Sequence, residues 1–177
     1  MDVLHRHCKD GVHEVATMNK TVVMKGFCSI GLLVFLLSAC SAGQDAHQTR
    51  AANGDLREET VSVHELPSFL DGQSEGVRLV YQAAALSNDL LERIPCYCGC
   101  GKSAGHQSSL HCFVHAYRED GSVIWDDHGT RCGVCLEIAA ESIRLRQEGK
   151  SVQEIREYID EKYRDGYAEP TPTPMPS

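Results

Sequence analysis

Positive charge is scarce in this sequence. Seventeen Lys and Arg stand against 25 Asp and Glu among 177 residues, for a net charge of -8. A non-specific nucleic-acid binder needs the opposite balance. Aromatics are also few, at 6%, which is thin for a large core, so one small domain helped by bridges or a metal is the expectation. Long apolar runs are missing too. The longest, GFCSIGLLVFLLSA from Gly26 to Ala39, is shorter than the roughly 20 residues of a comfortable membrane-spanning helix. Known catalytic orders are absent: no Ser-His-Asp arrangement and no recognisable pair of carboxylates. Gly101-Lys102-Ser103 looks like the end of a phosphate-binding loop, but Cys96 stands where that loop needs its first glycine, so nucleotide binding is not supported.

The short apolar run, preceded by Lys20 and Lys25, has the layout of a secretory signal. It closes on Leu37-Ser38-Ala39-Cys40, which looks like a bacterial lipobox and makes Cys40 the expected lipidation site. The expected location is the extracytoplasmic face of a cell membrane. The domain is acidic and would be repelled by anionic lipid, so the lipid itself must hold it there. Residues 1–17 fit the signal poorly and read as an over-extended start, with Met18 or Met24 a better one. No role falls to Cys8, and Cys28 lies inside the signal. The expected organisation is a signal over 1–39, a lipid-anchored flexible tether over 40–60, a cysteine-rich domain over 61–166 and an exposed proline-rich tail over 167–177.

Within the domain, helical spacing runs from Ser74 to about Arg93, with Val77, Val80, Tyr81, Ala84 and Leu91 on one face. A second helix is expected over 133–148, with Leu136, Ala139, Ala140 and Ile143 as its apolar stripe and Gly149 as its cap. Ser151 and Glu154 form a capping box that opens a last helix to about Arg164. Residues 108–117 read equally as helix or strand, and Asp120-Gly121 suggests a small hairpin across 113–125. The expected fold is therefore mainly α: a small single helical domain with a short β-hairpin and a Cys/His-rich loop site.

The chemistry lies in sulfur. Pro95-Cys96-Tyr97-Cys98-Gly99-Cys100-Gly101 puts three thiols at alternate positions, Cys112 follows, and Cys132-Gly133-Val134-Cys135 straddles the start of a helix. An extended backbone would space the first three by about 6.6 Å, too far apart for one ion with bonds of about 2.3 Å. Gly99 and Gly101 permit the bend that would bring them together. Unpaired amides at a helix start favour thiolate at Cys132 and Cys135. His106 in its glycine-bounded loop is a further candidate ligand, and His111, His115 and His128 lie in the same region. Such donors suit a soft or borderline ion, Cu(I) or Zn(II), held in two tetrahedral sites or one multinuclear copper cluster. Cys96, Cys98, Cys100, Cys132 and Cys135 would be primary ligands, with Cys112 and His106 secondary. Asp126-Asp127 reads as a turn and Trp125 as core.

Other readings stay open. Six exported cysteines can form disulfides in 15 pairings and staple an interaction module. Cys132 and Cys135 could instead cycle as a thiol–disulfide redox pair, and an electron-transfer cluster ranks lower. An enzyme is less expected than a metal holder that exchanges its ion with a donor or acceptor protein. PCYCGCG, the His106-to-Cys112 spacing and WDDHGTRCGVC resemble the PCYCGC-motif lipoproteins of bacteria across about residues 60–165. The resemblance implies an exported, lipid-anchored protein with one cysteine-rich domain. It implies no catalytic residues, because the motif and not an activity defines that family.

Overall fold

A computed structural model describes residues 47–176. The expected signal and the lipidation site at Cys40 lie outside the described residues.

The mainly α expectation is overturned. The structure is an α+β mix in which a four-stranded antiparallel sheet, ordered β1-β2-β4-β3, packs with five helices. Strands β1 (Gln48–Arg50) and β2 (Leu56–Thr60) arise from the stretch read as a tether. Strands β3 (Val114–Tyr117) and β4 (Val123–Asp126) make the expected hairpin. The missed strands have a physical reason. A half-buried strand normally announces itself by apolar alternation, but the inward residues of β2 are Glu58 and Thr60. Glu58 accepts hydrogen bonds from the Ser68 amide at 2.6 Å and the Gln48 side chain at 2.8 Å. Thr60 Oγ1 accepts one from the Trp125 indole at 2.8 Å. Satisfied polar groups can be buried, and a hydrophobicity pattern does not register them.

The helical half follows the sequence more closely. Helix α1 (Glu75–Ala85) is capped by Ser74, and a break at Leu86–Ser87 separates it from the short α2 (Asn88–Leu91). A third short helix, α3 (Gly101–Ala104), follows the cysteine loop. Helix α4 (Gly133–Gln147) buries Cys135, Ile138, Ala139, Ser142, Ile143 and Leu145. The expected stripe is thus rotated: Ala140 is exposed and Leu136 half-buried. A thiol and a hydroxyl occupy the inward spacing, and Ser142 satisfies itself on the Ile138 carbonyl at 2.7 Å. Helix α5 (Val152–Lys162) carries the Ser151/Glu154 capping box. Among the described residues no helix is long and apolar enough to cross a membrane.

Tyr81 sits at the centre of the core. Its ring meets Phe113 edge-on at 5.0 Å and Phe69 at 5.9 Å, and its hydroxyl donates to the Asp126 carbonyl at 3.0 Å. Those contacts join α1 to the end of β4. The loop after β4, a 3-10 turn over Asp127–Arg131, is pressed against this core at Gly129. A Cβ there would lie 2.8 Å from the Phe113 ring and 2.9 Å from the Cys112 carbonyl. Gly129→Ala should therefore force the loop off Phe113 and cost about 1–3 kcal/mol, as overpacking does. A lowered urea midpoint with an unchanged slope would report it.

Candidate metal centre

Pro95 ends the α2 region, and the backbone that follows bends as the two glycines allow. Gly99 takes φ 80°, in the left-handed region that favours glycine. Segment 168–174 then covers the loop. Thr171 Oγ1 accepts from the Cys96 amide at 2.9 Å, the Thr171 amide donates to the Cys96 carbonyl at 3.0 Å, and the Ala168 amide donates to the Tyr97 carbonyl at 3.2 Å. The buried Arg156 donates to the carbonyls of Thr173 and Pro174, each at 3.1 Å. Thr171 and Thr173 are buried. Of the expected exposed tail, Thr171 and Thr173 are instead buried, because they bind backbone groups that the loop leaves unpaired, while residues 167–170, Pro172, Pro174 and Met175 are exposed. Gly101 must lack a side chain here, since its Cβ would stand 2.5 Å from the Thr171 methyl.

The bend, the 3-10 turn at Ser109–Cys112 and the start of α4 bring the sulfurs together. Cys96 Sγ lies 3.2 Å from Cys98 Sγ, 3.5 Å from Cys135 Sγ and 3.8 Å from Cys112 Sγ. Two sulfurs on one tetrahedral ion are roughly 3.8 Å apart for bonds of about 2.3 Å, whereas a disulfide needs about 2.0 Å. The ligand atoms of Cys96, Cys112 and Cys135 all fall within 4.8 Å of one another, as do those of Cys98, Cys132 and Cys135, and those of Cys98, Cys100 and His128. The groups share Cys98 and Cys135, so all six cysteines belong to one continuous arrangement. It is dry at its base, where Cys112 and Cys135 are fully buried, and half-buried at Cys98 and Cys132.

His106 also joins this arrangement, with Nδ1 3.6 Å from Cys112 Sγ. His128 is drawn in at Cys98. His111 and His115 are not. The His111 ring accepts the Gln107 amide at 3.0 Å, and His115 is exposed on β3. Asp55 carries no sequence signal, because it lies in a polar stretch without periodicity. It is buried behind both site histidines and pairs with Arg131. Asp126 ends β4 and accepts the His128 amide, while Asp127 opens the 3-10 turn, accepts the Leu56 amide and pairs with Arg131.

The electrostatics divide the protons unevenly. Hydrogen bonds from Cys132 and Cys135 lower Cys98 to about 5. Hydrogen bonds from Cys135 and Cys96 lower Cys112 to about 7. Cys135 is pushed far up by its hydrogen bonds to Cys112 and Cys132. Burial favours neutral His128, yet the Cys98 thiolate and Asp55 outweigh it and raise the ring to about 9. Burial lowers His106, and its neighbour His128 lowers it further. One cluster cannot hold all its sulfurs as thiolates without a cation, because adjacent like charges oppose ionisation. What this geometry can do chemically is hold a metal.

The family model described as protein of unknown function with PCYCGC motif matches residues 30–176. The chain belongs to this family. The match takes in the β1–β2 strands and the covering segment 168–174, both of which lie beyond the span that the cysteine motifs mark out. No curated protein and no solved structure matches the PCYCGC chain.

In the metal-free, reduced protein, Cys98 should alkylate first. Its rate should rise as pH passes through about 5 and level off well below the ordinary thiol value of 9.0. Peptide mapping of timed iodoacetamide labelling checks this. A rate at Cys98 that climbs only above about pH 8 would contradict it.

Proposed function

We propose that this PCYCGC protein binds Cu(I) or Zn(II) through its cysteine centre and holds the ion, or passes it on, at the outer face of a cell membrane. The carrying observation is the convergence of sulfurs from three separate stretches of chain at spacings of 3.2–3.8 Å. Thiolate donors with nearby imidazole favour these soft and borderline ions over Mg(II) or Ca(II). Cys96, Cys98, Cys100, Cys132 and Cys135 are the primary ligands, and Cys112 and His106 complete the set. Two tetrahedral sites sharing a sulfur, or a multinuclear copper cluster, would use this inventory.

Transfer to or from a partner protein would go by thiolate exchange at Cys98, the half-buried edge of the centre. A cleft of about 500 Å³, lined by Cys96, Gly101, Lys102, His106 and Thr171, gives a second approach. Anchoring through a lipid on Cys40 rests on the sequence pattern alone and is part of the proposal.

The decisive measurement is the metal and thiol content of full-length protein purified without chelator. Stoichiometric copper or zinc, with thiols appearing only when the metal is stripped, is the expected result. Absence of both metal and thiols would replace this reading with a disulfide-stapled module. Absence of metal with Cys132 and Cys135 cycling at a mild potential would replace it with a redox protein.

Cys40→Ala should abolish labelling by fatty acid and move the protein from the membrane to the soluble fraction. Retention of the label would refute the anchor.

A further inference from the structure

Behind the sulfur centre lies a second group of possible ligands, Asp55 with the two histidines that also face the cysteines. Asp55, in the turn between β1 and β2, is 3% exposed. Its Oδ2 faces His128 Nδ1 at 3.3 Å and His106 Nε2 at 4.0 Å. These three ligand atoms lie within 4.8 Å of one another. Nitrogen and oxygen donors on one tetrahedral ion stand roughly 3.3 Å apart for bonds of about 2.0–2.1 Å. The Asp55–His128 edge already has that length, and a small rotation of the His106 ring would close the second.

A second, independent observation concerns His106. The residue is 6% exposed, and its Nε2 is buried without a hydrogen-bond partner. A buried polar nitrogen left unpaired is costly, and this one is aimed at Asp55. Its other nitrogen, Nδ1, faces Cys112 in the sulfur centre.

The carboxylate is positioned as a ligating carboxylate is. Arg131 holds Oδ1 by an ion pair, and the Asn53 side chain donates to Oδ2 at 2.7 Å, leaving that oxygen a lone pair. Asp55, Asp126 and Asp127 are buried together, and among the described residues Arg57, Arg131 and the two site histidines pair with them.

We infer that Asp55 Oδ2, His106 Nε2 and His128 Nδ1 form a second metal site, of nitrogen and oxygen donors, for a borderline divalent cation such as Zn(II). The His106 imidazole joins it to the sulfur centre, one nitrogen toward each. That junction rests on the proposed function; the nitrogen–oxygen pocket stands without it. The protein then holds two chemically unlike ions side by side: a soft one on thiolates and a harder one on His, His and Asp.

Cobalt(II) distinguishes the two environments, because only thiolate-bound cobalt gives intense sulfur-to-metal charge-transfer absorption. The full chain, reduced and oxygen-free, is titrated with cobalt(II) as wild type and as Asp55→Asn and Asp55→Ala. In wild type, one equivalent should bind with weak visible bands and no added charge transfer. Both variants should lose that equivalent and keep the charge-transfer bands, which also report that the sulfur centre is folded. If every bound cobalt brings charge transfer, or if the variants take up as much as wild type, the second site is wrong and the sulfur reading stands. A variant that loses all its bands has unfolded, and the wild-type titration then decides alone. If wild type shows weak bands only, the second site is supported and the thiolate centre takes no divalent ion, which leaves it Cu(I) alone. If no cobalt binds, the second site falls.

Discussion

Sulfur against sulfur is the constraint on which this domain is built. Several thiols sit within van der Waals range of one another in a pocket whose floor is closed to water. Each that ionises makes the next harder to ionise. An arrangement of that kind does not arise from burying apolar surface. It has to be imposed by the surrounding backbone, and most of the structure can be read as the means. Phe113 and Gly129 clamp the His128 turn against Cys112. Helix α4 presents Cys135 from its first turn. Segment 168–174 takes up backbone hydrogen bonds of Cys96 and Tyr97, and the Cys100 amide donates to the Cys98 sulfur.

The shell around the sulfurs is polar, and its charges are ordered. Carboxylates lie behind the histidines, guanidiniums lie behind the carboxylates, and the threonines of the covering segment meet backbone groups and each other. Buried polar networks of this sort stabilise a fold when every member is satisfied. Here nearly every member is. Among the described residues Ser109 Oγ and Tyr163 OH are also unpaired, but the unpaired nitrogen of His106 sits where two donor sets meet.

The sequence showed the chemistry better than the architecture. Alternate thiols and flanking glycines announce a bend, and the pair at Cys132 and Cys135 sits at a helix start whose capping and spacing are plain. The capping box at Ser151 needs only local residues, and so does the Asp120-Gly121 turn. What stayed hidden shares one property: polar residues doing inward work. Glu58 and Thr60 make β2 look like linker, Asp55 looks like any acid in a polar stretch, and Thr171 and Thr173 look like spacers between prolines. Each acquires its role from a partner 10 to 76 residues away. Periodicity carries no trace of such pairings, whereas a hydrophobic stripe carries its own.

The covering segment has a consequence for timing. Ribosomes make Cys96, Cys98 and Cys100 before Cys132 and Cys135, and make Thr171 last of these. For that interval the three nearest thiols are exposed to one another without the residues that separate their roles. Each is then equally able to react with its neighbour or with any oxidant at hand. The threonines that tie down Cys96 and its loop follow Cys132 and Cys135 in the chain, so the loop is secured only once all six site thiols have been made.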